Sequence, residues 1–380
     1  MIRINRFNFK QITEQHLNYF EKFFEDKLIT VICKAELKNH KNFLEYLFSK
    51  KVTLLTGTPR ELEFIRNELY NRYKNILVEV ENITLTEVLR KSIIKQNLRT
   101  SADNEEPKEI ENVSPIQKLR AYLEYIFDYD HFVRGTKGWG AYHLVKQLKV
   151  EVCPYCNRHY TSTLDCPIGK TRPQLDHFYS QEKYPYFALS LFNLVPSCYV
   201  CNSNLKRNNE FSYNTHLHPY DEEGEFSDRV RFSVNFPKQN LQTDEKKERQ
   251  RDYLSAWLGN SDDFKISLLP VKLRDPLTSV EERRDYAKFL IRARNNCKVF
   301  KLRELYQNHK DYVQDIIINA IVYSESEIQN LLDAFPDLFV ERKDVLRMIT
   351  SNYISKEELD KRVLAKLTRD IWQEFGLKIE

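Results

Sequence analysis

The chain has 380 residues, of which 41% are hydrophobic and 13% aromatic, so it is long and apolar enough for two or three domains with real cores. No apolar run reaches the roughly 18 residues of a membrane span, and the amino terminus lacks a secretory signal pattern, so we expect a cytoplasmic protein. The formal net charge is only +4, which excludes a strong overall attraction to nucleic acid and leaves local basic patches to do any binding.

The first hundred residues mix two kinds of pattern. Helical periodicity is clear over 10–26, and Thr58-Pro59 is typical of a helix start. Short β-branched runs indicate strands, at Leu28–Cys33, Val52–Thr56 and Ile76–Val80. We therefore predict an α/β or helical domain over residues 1–105. The polar, acidic segment 100–113 marks its end.

Two Cys-x-x-Cys pairs, Cys153/Cys156 and Cys198/Cys201, lie near the middle of the chain. This spacing turns two thiolates toward one point, and two such pairs supply the four ligands of a structural Zn²⁺ site. Buried thiols without a metal are one alternative. Disulfides are another, but seven cysteines is an odd number and no secretory pattern precedes them.

The segment between the two pairs contains the candidate chemistry. A four-sulfur zinc site has no open position for a substrate, so catalysis must come from other side chains. Asp176 and Asn202 offer hard oxygen ligands for Mg²⁺ or Mn²⁺, and His177 titrates near neutral pH, where it can accept a proton from water. Asn193 is placed to orient the imidazole through its amide. Neighbouring strand residues point to opposite faces, so Asp176 can bind a cation while His177 faces water.

The motifs in this segment resemble those of the HNH endonucleases of the ββα-metal kind, in their variety with four zinc-binding cysteines. The matching motifs are Cys-Pro-Tyr-Cys at 153–156, Leu-Asp-His-Phe at 175–178, Asn-Leu-Val-Pro-Ser-Cys at 193–198 and Cys-Asn at 201–202. Within that family the chain is most similar to the PtuB-like nucleases of Septu-type and retron-associated anti-phage systems, which act beside an ATPase partner. The resemblance covers roughly residues 150–220.

The resemblance implies a role for each matched residue. Asp176 and Asn202 would bind one catalytic Mg²⁺ or Mn²⁺, His177 would be the general base, and Asn193 would position it. The four cysteines would hold a separate, structural zinc. Water would attack the phosphorus in line and leave 5′-phosphate and 3′-hydroxyl ends.

Basic side chains surround the candidate site in sequence and predict contacts with phosphates: Arg158, Lys183, Lys206 and Arg207. A solvated surface role is the alternative for each of them. DNA is the favoured substrate, although RNA such as tRNA offers the same phosphodiester. The third alternative is a module with a structural zinc that binds nucleic acid without cleaving it.

The remaining sequence predicts a mainly helical carboxy-terminal region. Residues 229–236 alternate charged and apolar side chains, which is typical of a half-buried strand. Segment 283–303 has eight lysines or arginines against one aspartate and an apolar stripe, so it predicts a helix with a basic face. We assign a nuclease domain to 106–236 and a helical domain to 237–380. The fold class is α+β, with a ββα-metal core between the two flanking domains.

Overall fold

The computed structural model describes residues 1–4, 9–98, 113–135, 138–221, 226–236, 260–271 and 279–376, together with Ser255 and Leu258. In these parts the protein is a mixture of helices and small sheets in which helices dominate. The predicted α+β class is therefore confirmed at this level. The predicted boundary segment 100–113 lies almost entirely outside the described residues.

The described part of the amino-terminal region is helical. Its helices are α1 Phe9–Lys34, α2 Lys38–Ser49, α3 Lys51–Thr56, α4 Pro59–Glu81 and α5 Glu87–Asn97. The three predicted strands were wrong, because each lies within one of these helices. Leu28 and Val31 show the reason: they are buried three residues apart while Ile29 between them is half exposed, so the β-branched run extends one helical face.

Three helices lead from this region to the cysteines: α6 Pro115–Ile126, α7 Tyr129–Arg134 and α8 Ala141–Leu148. α6 begins with a capping box. Ser114 accepts a hydrogen bond from the backbone N–H of Gln117, whose side chain accepts one from Ser114 N in return. α4 begins in the same way at Thr58 and Glu61.

The central region contains two antiparallel hairpins. One pairs β1 Leu164–Cys166 with β2 Gly169–Thr171, and the other pairs β3 Gln174–His177 with β4 Leu194–Ser197. In the second hairpin Asp176 lies opposite Val195 and His177 opposite Leu194. A seven-residue π-helix, Val200–Lys206, follows β4 directly. The β3–β4 hairpin and the π-helix are thus consecutive elements that carry the candidate residues.

The carboxy-terminal region begins with a short helix and one hairpin. α9 Phe226–Arg229 precedes β5 Val230–Asn235, which pairs with β6 Lys265–Pro270 and confirms the predicted strand. The helices that follow are α10 Val280–Val299, α11 Leu302–Tyr306, α12 Lys310–Val322, α13 Glu325–Ala334, α14 Arg342–Thr350 and α15 Ala365–Glu374. No helix in the described ranges is long and apolar enough to cross a membrane.

One hydrophobic core connects the three regions. Phe178, next to the candidate base, lies 5.4 Å from Phe211 between ring centroids, and Phe211 lies 5.8 Å from Phe300 at the end of α10. All three rings are completely buried. The same cluster of buried residues includes Phe20 and Leu54 of the amino-terminal helices. The domain boundaries at 105 and 236 stay predictions.

Candidate metal centre and hydrolytic site

The four predicted zinc ligands meet at one buried point. The sulfur atoms of Cys153, Cys156, Cys198 and Cys201 all lie within 4.8 Å of one another. All seven cysteines of the chain are free thiols, so the disulfide alternative is not realised. Four buried sulfurs at this separation can hold a metal ion such as Zn²⁺.

The backbone around each knuckle supports this use. Arg158 N–H donates to Cys156 Sγ, and Cys201 N–H donates to Cys198 Sγ, each at 3.4 Å. Burial raises the pKa of the Cys153 thiol well above its usual value, while a hydrogen bond from Cys153 holds the pKa of Cys156 well below it. A zinc ion would replace the protons shared among these sulfurs, because it binds thiolates.

Asp176, the predicted ligand of the catalytic cation, lies just behind the first knuckle. It is 2% exposed. Its Oδ2 accepts a hydrogen bond from the Tyr155 hydroxyl at 2.6 Å, and its Oδ1 accepts one from the Lys206 ammonium at 2.8 Å. Lys206 donates also to the backbone carbonyl of His177. Both carboxylate oxygens are thus occupied, and the negative charge is neutralised by a lysine.

Asn202, the second predicted ligand, lies on the same side of the hairpin. Its Nδ2 donates to Gln174 Oε1 at 3.0 Å, and Gln174 shares a strand face with Asp176 because it is two residues away. The π-helix thus contacts β3 at both points, through Asn202 and Lys206. Among the described residues, three or more His, Cys, Asp or Glu side chains come together only at the four cysteines.

The donors around Asp176 have the right chemistry for a second, hard cation, but they do not yet form its site. The carboxylate of Asp176, on β3, and the carboxamide oxygen of Asn202, on the π-helix, are oxygen ligands of the type that Mg²⁺ and Mn²⁺ prefer. In this structure, however, the Lys206 ammonium provides the positive charge at Asp176. A divalent ion would fit there only if Lys206 moved away from the carboxylate.

His177 is held by a backbone carbonyl on the opposite face of β3. Its Nε2 lies 3.0 Å from the Ala188 oxygen, and because a carbonyl can only accept, Nε2 carries the proton. Nδ1 therefore keeps its lone pair. Burial lowers the pKa of His177 to about 4, so the ring is neutral at pH 7. The ring of Tyr129 packs edge-on against it, with 4.4 Å between ring centroids. A neutral imidazole with one fixed N–H can accept a proton.

Asn193 acts on the loop between the strands and not directly on the imidazole, which corrects the predicted contact. Its Oδ1 accepts from Tyr179 N at 2.7 Å, and its Nδ2 donates to the carbonyls of Tyr179 and Phe187 at 3.2 and 2.9 Å. The ring nitrogen that it was expected to hold is already bound to Ala188. Asn193 can therefore position His177 only through the loop that presents this carbonyl.

Two amino-terminal helices hold the same loop from outside. His16 on α1 donates from Nε2 to the Leu189 carbonyl at 2.7 Å, while its Nδ1 accepts from Trp139 Nε1 at 3.1 Å. The Ser190 hydroxyl donates to the backbone carbonyl of Leu54, in α3. The two residues that follow Ala188 are thus fixed by buried hydrogen bonds.

The four basic residues predicted to contact phosphates lie in different environments. Lys206 is buried on Asp176. Lys183 pairs with Glu210 at 2.9 Å and lies 3.6 Å from Glu81, while Arg158 Nε donates to His309 Nε2 at 3.0 Å. Arg207 is exposed. Arg207 is thus the most accessible of the four, and their role in nucleic-acid binding stays a prediction.

Sequence reasoning missed Tyr155, His16 and the position of Lys206 on Asp176. Lys206 follows Asn202 by four residues, a spacing that places two side chains on one face of a helix, so it could have been found. His16 had no such signal, because its partner Leu189 is 173 residues away.

The chain matches no protein-family model, no curated protein and no solved structure.

Proposed function

We propose that this chain is a metal-dependent HNH endonuclease that hydrolyses phosphodiester bonds in nucleic acid, with DNA favoured. The observation that supports this most is the short strand that carries both Asp176 and a neutral His177, beside a buried cluster of four cysteines. Strand alternation sends the carboxylate toward the π-helix and the imidazole toward the loop of Ala188. A cation and a nucleophilic water would then approach the same phosphate from different sides.

In this proposal each residue has one task. Nδ1 of His177 accepts a proton from water, while the Ala188 carbonyl holds the opposite nitrogen. Asp176 and Asn202 would hold Mg²⁺ or Mn²⁺, and when bound this ion supplies positive charge for the phosphate and the leaving 3′ oxygen. Tyr129 remains protonated beside His177, since burial raises its pKa to about 12.

The biological setting is part of the same proposal and rests on the resemblance to PtuB-like nucleases. We propose an effector of a prokaryotic anti-phage system that acts in the cytoplasm with an ATPase partner. Co-expression of the chain with an ATPase encoded beside it, followed by size-exclusion chromatography, tests the partner. Two proteins that elute separately under all nucleotide conditions would contradict it.

A cleavage assay tests the activity itself. Zinc-loaded protein is incubated with supercoiled plasmid and, separately, with total RNA, in Mg²⁺, in Mn²⁺ and without a divalent ion. His177→Ala should lower the cleavage rate by about 10²-fold or more, the usual effect of losing a general base. His143→Ala is the matched control, because His143 is an exposed histidine on α8. Equal rates for His177→Ala and the native chain would overturn the proposal.

The alternative of a non-catalytic nucleic-acid-binding module has one observation in its favour. The Lys206 ammonium neutralises Asp176, which leaves that carboxylate without free charge for a cation. A module of this kind would bind DNA or RNA in gel-shift experiments and cleave neither with any divalent ion. Cleavage of RNA alone would instead support an RNA-directed nuclease, for which tRNA is a suitable substrate.

A further inference from the structure

A cleft of about 390 Å³ lies between the β5–β6 hairpin and α10, and none of the candidate site residues lines it. Val230 and Leu268 line its hairpin side, and Ala293 and Cys297 line its helix side. Its volume lies within the usual range of small-ligand sites, about 300–1,000 Å³. The interior of the cleft is thus apolar and large enough for a planar ring system.

Four cations surround this apolar interior: Arg294, Lys298, Lys301 and Arg303. All four are exposed, and none of them forms an ion pair with another described residue. Glu304 is the one acidic residue in the described lining. Arg294 and Lys298 are four residues apart on α10, where two like charges repel each other and destabilise the helix. An anion bound between them would remove this cost.

A ligand that matches both features has an apolar, planar body and more than one negative charge. A fatty acid has a single charge and a long chain, so it would leave most of the cations without a partner. A nucleotide has a flat base for the cleft and phosphates for arginine and lysine side chains, which are the usual phosphate contacts. We propose that this cleft binds a nucleotide, with the base between Val230 and Cys297 and the phosphates on Arg294 and Lys298.

The cleft also lies on the helix that supports the candidate hydrolytic site. Phe300, which follows α10, stacks on Tyr155 with 4.4 Å between ring centroids and 19° between ring planes. The Tyr155 hydroxyl in turn donates to Asp176.

The nucleotide can be part of a nucleic-acid strand or a free molecule. The first case deepens the proposed nuclease function and rests on it, whereas binding itself requires no cleavage.

Binding is measured with the His177→Ala chain, so that no strand is cut. The probes are a fluorescein-labelled single-stranded oligothymidylate and a fluorescent ATP analogue, followed by anisotropy over a range of salt concentrations. Arg294→Glu/Lys298→Glu should weaken binding at least about tenfold and reduce the salt dependence of strand binding by about one unit of log–log slope per removed contact. Lys288→Glu is the control, since Lys288 is an exposed residue of α10 that does not line the cleft.

A second variant tests the apolar part without changing any charge. Cys297→Met narrows the cleft, so this variant should bind the ATP analogue more weakly. Inorganic tripolyphosphate has no base, so its affinity, measured by competition with the ATP analogue, should not change. Loss of strand binding in both cleft variants identifies a strand as the source of the nucleotide. Loss of ATP-analogue binding alone identifies a free nucleotide.

Unchanged nucleotide binding in both cleft variants would overturn the proposal. So would a cleft that binds oleate and no nucleotide. A third contrary result is that tripolyphosphate competes as well as ATP while Cys297→Met binds the ATP analogue normally, because the base would then contribute nothing. Melting curves recorded by circular dichroism confirm that each variant is folded. Because the cleavage assay uses His177 and this assay does not, a failed cleft and a failed nuclease proposal give different patterns.

Discussion

The Lys206 ammonium lies 2.8 Å from Asp176 Oδ1, and the two side chains are only 4% and 3% exposed. A buried carboxylate needs a positive partner, because water cannot stabilise its charge. The lysine therefore stands where a divalent cation would have to bind. A catalytic cation at Asp176, as proposed, would have to compete with the lysine for this carboxylate, and such competition can be measured.

Lys206→Met should lower the free energy of unfolding by about 3–5 kcal/mol without added metal, the usual cost of leaving one member of a buried pair unpaired. Mn²⁺ should then raise the melting temperature of this variant more than that of the native chain, because Asp176 has become available. Thermal unfolding of zinc-loaded protein, with and without Mn²⁺, measures both effects. The double variant Lys206→Met/Asp176→Asn lacks the carboxylate charge at position 176, so Mn²⁺ should not raise its melting temperature. Equal responses of the single variant and the native chain would contradict the competition.

The cysteine cluster gives a prediction that does not depend on catalysis. The purified chain should contain one zinc ion, and Cys156→Ser should lose it together with much of the stability, because binding free energy at a structural zinc site is folding free energy. Cys33→Ser is the matched control, since Cys33 is exposed and distant in sequence from the cluster. Metal content by mass spectrometry and melting curves measure the two effects. A native chain that purifies folded and free of zinc would refute this prediction.

The sequence predicted local features well and long-range features poorly. The Cys-x-x-Cys spacing, the Thr58-Pro59 helix start and the strand at 229–236 each depend on neighbouring residues, and the structure confirms them. The strands predicted at Leu28–Cys33 and Val52–Thr56 failed, since burial along one helical face outweighed β propensity there.

The candidate site shows the same division. The sequence brought together the four cysteines, but it could not show that Lys206 meets Asp176 or that Ala188 presents its carbonyl to His177. Every residue has a backbone carbonyl, so the residue type does not indicate which carbonyl will accept a hydrogen bond from His177. Its position depends on a loop in which Asn193 bonds the carbonyl of Phe187, before Ala188, and His16 bonds that of Leu189, after it.

His16 is therefore expected to be a positioning residue. His16→Ala leaves the Trp139 N–H and the Leu189 carbonyl without their buried partner, which should cost about 1–3 kcal/mol of unfolding free energy. If the nuclease proposal holds, kcat should fall while KM changes little, because the loop that holds His177 loosens. Urea unfolding and steady-state cleavage measure these effects. His143→Ala, at an exposed position, should change neither. A stable variant with native kcat would show that this contact does not position the base.

Several histidines have lowered pKa values and therefore predict how stability depends on pH. Burial lowers the pKa of His177 from 6.5 to about 4, so as the pH falls below 6.5 the unfolded chain takes up this proton while the folded chain does not. The free energy of unfolding should consequently decrease between pH 6.5 and 4, and His177→Gln should remove about 1.4 kcal/mol per pH unit of that slope near pH 5. Other histidines keep their share of the slope in the variant, because burial also lowers the pKa of His16 and His216 to about 4 and that of His218 well below its usual value. Urea unfolding of both proteins at several pH values between 6.5 and 5 measures it, and parallel curves would show that His177 titrates normally in the folded chain.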